Sequence, residues 1–138
     1  MKFPPAAAPL PEQRTLEEQL VQPPSRTPVP FDVSSVSATA ATVFTVPSGE
    51  LYQIDKILIH NPNASAHDVE IWVVPDGGTR GAANKIWEQS ISASETMYAN
   101  FIEGLLLGEG VALDCQAAAA GGDTLNLFVS CTRVESGW

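Results

Sequence analysis

The residues that could hold a metal lie around one short turn. His60 and His67 flank residues 61–66, and Asp68 follows the second histidine directly. Zinc sites are built from histidine and carboxylate ligands of this kind. Histidines beside a polar turn are, however, far more often solvated than bound to a metal. We therefore expect no metal site in this chain.

Catalytic nucleophiles are equally hard to place. A serine or cysteine nucleophile needs a histidine and an acid to activate it, and neither a GxSxG motif nor a local Cys-His motif is present. Cys115 and Cys131 alternate with apolar residues in two strand-like segments, which is typical of small buried thiols. A disulfide between them is the alternative. We expect no catalytic and no cofactor-binding residue, and hence a protein that is not an enzyme.

Three aromatic residues offer the strongest alternative, a ligand-binding surface. Trp72, Trp87 and Tyr98 all fall in strand-like segments and could line an exposed carbohydrate groove. Tryptophans in strands are more often core or interface residues, because their large rings bury so much apolar area. The sequence alone leaves both interpretations open.

Length and charge narrow the class of partner. A chain of 138 residues fits one domain with its own hydrophobic core. Seven basic residues against 16 acidic ones give a net charge of -9. Because such a surface repels phosphate, we expect neither a nucleic acid nor an anionic membrane as partner. The N-terminus lacks the unbroken apolar stretch of a signal peptide, so we expect a protein made in the cytoplasm.

Proline divides the chain into two parts. Eight of the 11 prolines lie in residues 1–30, a composition that disfavours both a sheet and a long helix. We predict an extended arm over 1–30, with one short helix near 15–21, and a β domain over 31–138. A linker without fixed structure is the alternative for the arm. We expect its apolar residues and the last residue of the chain to be interface anchors: Phe3, Leu10, Leu16, Leu20, Val29 and Trp138.

From residue 31 onward, strand-like segments alternate with turn-like segments. Short apolar runs bounded by Pro, Gly, Asn, Asp or Ser predict eight strands, at 31–36, 40–46, 51–60, 68–74, 85–91, 95–102, 110–116 and 124–134. Strands at this even spacing, without a helical period, predict an all-β fold. We expect an antiparallel β-sandwich or jelly roll of about eight strands.

Two strands carry further detail. Within 51–60 the apolar positions shift phase after Ile54 and resume at Ile57, which indicates either a β-bulge near 55–56 or a strand buried on both faces. Within 68–74 the alternation places Val69, Ile71 and Val73 on the inward face.

The order of these strand and turn motifs resembles that of small β-sandwich structural proteins from the virions of tailed bacteriophages. The resemblance covers about residues 42 to 134 and leaves out the proline-rich arm. Its motifs are a Val-Pro-Ser-Gly opening at 46–49 with Tyr52, the turn 61–63, the strand 69–75, the corner 107–110 with Leu113, and the closing strand 125–134.

This resemblance implies a non-enzymatic virion structural protein, in the first place a capsid decoration (cement) protein on the capsid surface, made in the host cytoplasm. Its partners would be the major capsid protein and further copies of the chain, in particular as a homotrimer. The arm would reach over a neighbouring subunit, so that several modest contacts combine through effective concentration. A neck or tail component with the same sandwich, and a carbohydrate- or receptor-binding module, are the alternatives.

Overall fold

Ten strands form the fold in the computed structural model, which describes residues 25–29, 34–117 and 120–135. Short 3-10 turns at Ala82–Asn84 and Asn100–Ile102 precede the sixth and the eighth strand. The strands are β1 (Ser25–Val29), β2 (Ser34–Val36), β3 (Ala41–Thr45), β4 (Leu51–His60), β5 (His67–Val74), β6 (Lys85–Ile91), β7 (Thr96–Tyr98), β8 (Leu106–Leu107), β9 (Ala112–Gln116) and β10 (Leu125–Glu135).

The strands form two antiparallel sheets that pack face to face. In the first sheet the order is β1-β10-β4-β7, with β2 also paired to β10 and β8 also paired to β4. In the second sheet the order is β3-β9-β5-β6. The predicted all-β sandwich is thereby confirmed. The described part of the chain contains no helix with the length and hydropathy of a membrane span.

The core lies between the two sheets because both are apolar on their facing sides. Alternate residues of β4 and β10 from the first sheet meet alternate residues of β5 and β9 from the second. The largest side chains that are fully buried include Ile54, Ile57, Ile59, Ile71, Leu113, Leu125 and Leu127. Because side chains alternate along a strand, β4, β10, β5 and β9 each also have an outer face that points away from the core.

The phase change within β4 is a β-bulge, as the first of the two interpretations predicted. On β10, Ser130 pairs with Lys56 and the next residue, Cys131, pairs with Ile54, so Asp55 is the extra residue. Both Asp55 and Lys56 are exposed, while the residues on either side of them are buried. The Thr132 hydroxyl donates a hydrogen bond of 2.6 Å to the Asp55 carboxylate. The bulge keeps the apolar residues on the inner face along the whole of β4.

The predicted inward face of β5 is also confirmed. Val69 and Ile71 are fully buried in the core, and Val73 packs against it while partly buried. Glu70 lies on the other face, where its carboxylate is 3.3 Å from the Lys85 ammonium group on β6.

The first sheet begins at Ser25, within the predicted arm of residues 1–30. β1 pairs antiparallel with the end of β10, from Ser25 opposite Glu135 to Val29 opposite Cys131. Pro28 is tolerated there because alternate amides of an edge strand have no ladder partner to lose. Val29 packs against the core and is not an anchor outside the domain.

The turn after β4 is organised by one buried amide. Asn61 is fully buried, and its Nδ2 group donates hydrogen bonds to the carbonyl oxygens of Ser65, Ile91 and Ser92 at 2.8, 2.9 and 3.3 Å. Its Oδ1 atom accepts hydrogen bonds from the backbone N–H and the side-chain amide of Asn63. This one side chain therefore ties the 61–66 turn of the first sheet to the end of β6 in the second.

Candidate functional site

The three aromatic residues proposed for a carbohydrate groove do not share an exposed face. Trp87 is 7% exposed and belongs to the core cluster. Trp72 is 5% exposed and lies on the other face of the second sheet. Tyr98 is 48% exposed, but it belongs to the first sheet. The alternative of one exposed aromatic face is not supported, because two of the rings are buried, as is usual for tryptophans in strands, and the third lies on the opposite side of the sandwich.

Trp72 is covered by charged side chains that are held in place by ion pairs. The Arg80 guanidinium lies 5.5 Å from the Trp72 ring centroid and the Lys85 ammonium 5.8 Å from it, distances at which cations are attracted to an aromatic ring. Arg80 also donates to the Asp114 carboxylate at 2.9 Å through Nε, and its Nη2 atom lies 2.7 Å from the same oxygen. The outer face of the second sheet is therefore closed over its one large aromatic ring by its own chain.

The two histidines have different partners and do not converge. His60 Nδ1 lies 2.8 Å from the Thr96 hydroxyl, and His67 Nε2 lies 2.9 Å from the Asp123 carboxylate. Asp68 is exposed. Within the described ranges, no three His, Cys, Asp or Glu side chains are grouped to hold a metal ion. Each histidine instead connects a strand end to a neighbouring strand or loop.

The two cysteines are buried free thiols on opposite sheets. Cys115 lies on β9 and Cys131 on β10, and both are nearly inaccessible to solvent. Burial raises the pKa of Cys115 to about 11 and that of Cys131 to about 12. The buried-thiol prediction is confirmed and the disulfide alternative is excluded. Thiols with pKa values this high are poor nucleophiles at neutral pH.

The carboxylates of Asp76 and Glu109, together with Ser48, line a cavity of about 280 Å3 at the corner before β9. Glu109 accepts hydrogen bonds from the Gly49 N–H at 2.7 Å and from the Ser48 hydroxyl at 3.4 Å. Gly110 has a φ of +77°, and a Cβ atom there would run into the Asp76 carboxyl group. The Glu109 contacts hold the 46–49 turn to the corner, and the missing side chain of Gly110 leaves room for the Asp76 carboxyl group.

The exposed apolar side chains of the described residues lie on the first sheet or on the segment that joins two of its strands. Among the described residues, the large hydrophobic side chains that are exposed belong to strands of the first sheet or to the 99–105 segment that joins β7 to β8. They are Tyr98, Phe101, Leu105, Leu106 and Phe128. Single apolar residues on a surface are ordinary, whereas several on one side of a sandwich mark an interaction surface.

At the centre of this surface three residues form a row across three strands. Phe128 on β10 is opposite Leu58 on β4, and Leu58 is opposite Tyr98 on β7. Phe128 is 41% exposed and Leu58 is half-buried. We call Phe128, Leu58 and Tyr98 the apolar row. Side chains directly opposite each other on adjacent strands are about 5 Å apart at Cβ, so the three form one contiguous surface.

The apolar row has a depression beside it and a cation above it. Lys56, Leu58, Phe128 and Ser130 border a hollow of about 130 Å3 between β4 and β10. The Lys56 ammonium group lies 5.2 Å from the centroid of the Tyr98 ring. A hollow of this size, next to exposed aromatic rings, has the features of a hot spot for an apolar anchor of a protein partner.

The two described cations on the outer face of the first sheet make no ion pair with a described carboxylate, unlike the other described cations. Within the described part of the chain, Arg80, Lys85 and Arg133 each lie within 4 Å of a carboxylate. Lys56 and Arg26 make no ion pair with any described residue: Lys56 lies over Tyr98, and Arg26 donates to the side-chain carbonyl of Gln53 at 2.7 Å. These two cations and the exposed carboxylate of Asp55 are the neighbouring charges of this part of the first sheet.

The predicted interface anchors are mostly outside the described residues. The anchors outside the described residues are Phe3, Leu10, Leu16, Leu20 and Trp138. The surface that sequence reasoning missed is carried by Phe128 and Leu58. A signal for Phe128 was present, since it is the one apolar residue in the outward phase of the 125–131 alternation.

No family model matches the chain, and no curated protein matches it. Among solved structures, the chain is similar to a protein of Bacillus endospore appendages, which are described as a novel family of disulfide-linked pili. The two share 13% sequence identity with a TM-score of 0.44, over 81% of this chain and 86% of that chain.

Proposed function

We propose that the protein is a non-enzymatic structural subunit that docks onto a larger assembly through the outer face of its first sheet. The observation that carries this proposal is the apolar row, flanked by a hollow and exposed on a sandwich whose other outer face is closed over Trp72 by Arg80 and Lys85. Apolar surface left in water has no benefit to a monomer, whereas burying it against a partner stabilises the complex by about 25 cal/mol per Å2.

The finer form of the proposal is a capsid decoration protein on the surface of a phage virion. It is supported by the resemblance of residues 42 to 134 to virion β-sandwich proteins and by a docking face that needs no catalytic group. The partners proposed are the major capsid protein and other copies of the chain, in a homotrimer. Docking at a junction between capsid subunits would strengthen the shell by adding contacts across it.

The test is to find the protein in purified particles. Virions from cells that produce the full chain are separated into heads and tails, and each fraction is examined by mass spectrometry. We expect the protein in the heads. Its presence only in tails would overturn the decoration role in favour of a neck or tail component, and its absence from both fractions would overturn the structural role.

A pair of variants connects this test to the docking face. Phe128→Glu places a charge in the apolar row, and Gln89→Glu places the same charge on exposed β6 of the second sheet. We expect the Phe128→Glu protein to be lost from heads and the Gln89→Glu protein to be retained. Equal retention of both would show that docking uses another surface.

A further inference from the structure

We propose that the apolar row of one copy binds the N-terminal segment, residues 1–24, of a second copy, with Leu16 and Leu20 as the anchors. The proposal rests on the proposed function in one respect, because it names the partner that an assembly subunit would first meet, namely itself. The structure supports it through the position at which residues 1–24 join the fold, through the length of that segment and through the charges on the two surfaces.

The first argument is where the segment joins the sheet. β1 belongs to the same sheet as the apolar row, and Ser25 is paired with Glu135 at the very end of β10. The row lies seven positions back along β10, at Phe128, which corresponds to about 23 Å of strand. The chain on the N-terminal side of Ser25 therefore leaves the sheet in the direction away from the row.

The second argument decides between the row of the same copy and that of a neighbour. To reach the row of its own sheet, the segment would have to reverse direction directly before Ser25. Residues 23 and 24 are both proline, and a proline restricts itself and the residue before it to extended geometry. The Pro23-Pro24 pair therefore disfavours a sharp reversal next to Ser25, which supports the row of a neighbouring copy as the binding site.

The third argument is reach. In polyproline geometry, 24 residues span up to about 75 Å, at about 3.1 Å per residue. The longest strand, β10, has 11 residues and spans about 36 Å. The segment is thus about twice as long as the sheet it leaves. Leu16 and Leu20 are nine and five residues before Ser25, so they can lie up to about 28 and 16 Å from it, which is enough to contact a sandwich that packs beside the end of the sheet.

The fourth argument is complementarity. Glu17 and Glu18 lie between the two leucines, so the segment presents apolar and acidic groups together. The apolar row offers a site for each kind of group. A hollow of about 130 Å3 beside Phe128 and Leu58 can take an apolar side chain, and the ammonium group of Lys56, which has no carboxylate partner among the described residues, can take an acidic one. Leucine fills a hollow of that kind, and the glutamates meet Lys56.

A contact of this kind is heterologous, since a segment on one copy meets a sheet face on the next. Heterologous contacts close into rings when the rotation between copies allows it and otherwise continue as filaments. The homotrimer proposed above is one such ring. A face-to-face dimer, by contrast, would use the apolar row of both copies and would need no N-terminal segment.

The test is complementation between two full-length variants that each break one side of the contact. Phe128→Glu disrupts the face and keeps the segment, and the double substitution Leu16→Asp and Leu20→Asp disrupts the segment and keeps the face. Sedimentation velocity over a range of concentrations gives the oligomeric state of each protein alone and of a one-to-one mixture. The thermal unfolding midpoint of each variant establishes that it is folded.

We expect the wild-type protein to associate, and each variant alone to associate at least about 10-fold more weakly. The mixture should recover association but stop at a heterodimer, because only one intact segment and one intact face remain. The inference is overturned if the segment variant alone still associates, which indicates a face-to-face contact. It is also overturned if the wild-type protein is a monomer, or if the mixture stays monomeric.

This outcome is separable from the proposed function. Recovery in the mixture needs no particle, whereas the test of function asks whether the protein is found in heads. A mixture that stays monomeric while the wild-type protein enters heads would reject the N-terminal segment as the occupant of the apolar row and leave the structural role standing.

Discussion

Phe128 and Leu58 lie directly opposite each other on adjacent strands at the outer face of the first sheet, although the chain neighbours of both are buried in the core. The two strands that contribute most to the core thus also contribute apolar side chains to the surface. A strand alternates its faces, so the residues that fold the domain and the residues that bind a partner can be separated by single substitutions.

Two adjacent residues on β10 should have different roles, Leu127 in the stability of the fold and Phe128 in self-association. Leu127→Ala removes a side chain that is 1% exposed and leaves a cavity, which should lower the free energy of unfolding by about 2 to 5 kcal/mol. Phe128→Ala should change it by less than about 1.5 kcal/mol while weakening self-association. Chemical denaturation measures the first effect and sedimentation the second. Equal destabilisation by the two changes would mean that Phe128 belongs to the core.

A matched pair on β5 tests the inward face of the second sheet. Ile71→Asp buries a charge with no partner, and we expect it to lower the free energy of unfolding by about 3 to 5 kcal/mol. Glu70→Ala removes one partner of the ion pair with Lys85 and should cost less than about 1 kcal/mol. Urea unfolding of the two variants gives the comparison, and a larger loss for Glu70→Ala would reverse the assignment of the faces.

Asn61 should be needed for its amide and not only for its size. Asn61→Ala leaves three carbonyl oxygens without their donor and should cost about 2 kcal/mol or more. Asn61→Asp has nearly the same shape but places a carboxylate against those oxygens, so we expect it to be at least as damaging. Ser65→Ala, at an exposed position of the same turn, is the control, because it keeps the carbonyl oxygen that Asn61 binds. Thermal unfolding would contradict this account if Asn61→Asp matched the wild type.

The buried thiols should make the protein less stable at high pH. Their pKa values rise from 9.0 to about 11 and about 12 on folding, so the thiols of the unfolded chain ionise first. The stability they contribute is complete below pH 9 and is lost above it, by up to about 1.4 kcal/mol per pH unit for each thiol. We expect unfolding free energies between pH 8.5 and 10 to fall less steeply in the double variant Cys115→Ala and Cys131→Ala. Parallel slopes would refute a thiol contribution.

The sheets were largely predictable because their signals are local. Strands β4 and β6 begin and end where alternation and turn residues placed them, at 51–60 and 85–91. The change of phase in β4 indicated either a bulge or a strand buried on both faces, and the pairing with β10 shows the bulge. The bounds of such strands need only the pattern of neighbouring residues, since the period of a strand is fixed at two.

β1 escaped prediction because its partner is distant. Ser25 pairs with Glu135 at the other end of the chain, and a segment rich in proline carries no local strand signal. Only the edge position makes Pro28 acceptable, and that position is a property of the assembled sheet. β1 therefore lies within the residues that the sequence assigned to the arm.

For a related reason, the sequence could not show that Trp72, Trp87 and Tyr98 do not form one groove. Alternation shows that a residue changes face, but it does not show what covers the outer face. Trp72 is buried there because Arg80 returns from the 75–84 loop to pair with Asp114, a contact between residues 34 positions apart. Tyr98 is exposed, and its neighbours in the sheet, Leu58 and Phe128, could be identified only from the register.

The most direct measurement of the central claim is hydroxyl-radical footprinting of the unmodified protein, free and within purified particles. The account predicts that Phe128 and Tyr98, both exposed in the monomer, are strongly labelled when the free protein is diluted to its monomer and are protected in the particle. Ile86, which is partly buried on β6 of the second sheet, should be labelled equally in both. Undiminished labelling of Phe128 and Tyr98 in particles that contain the protein would contradict docking through the first sheet.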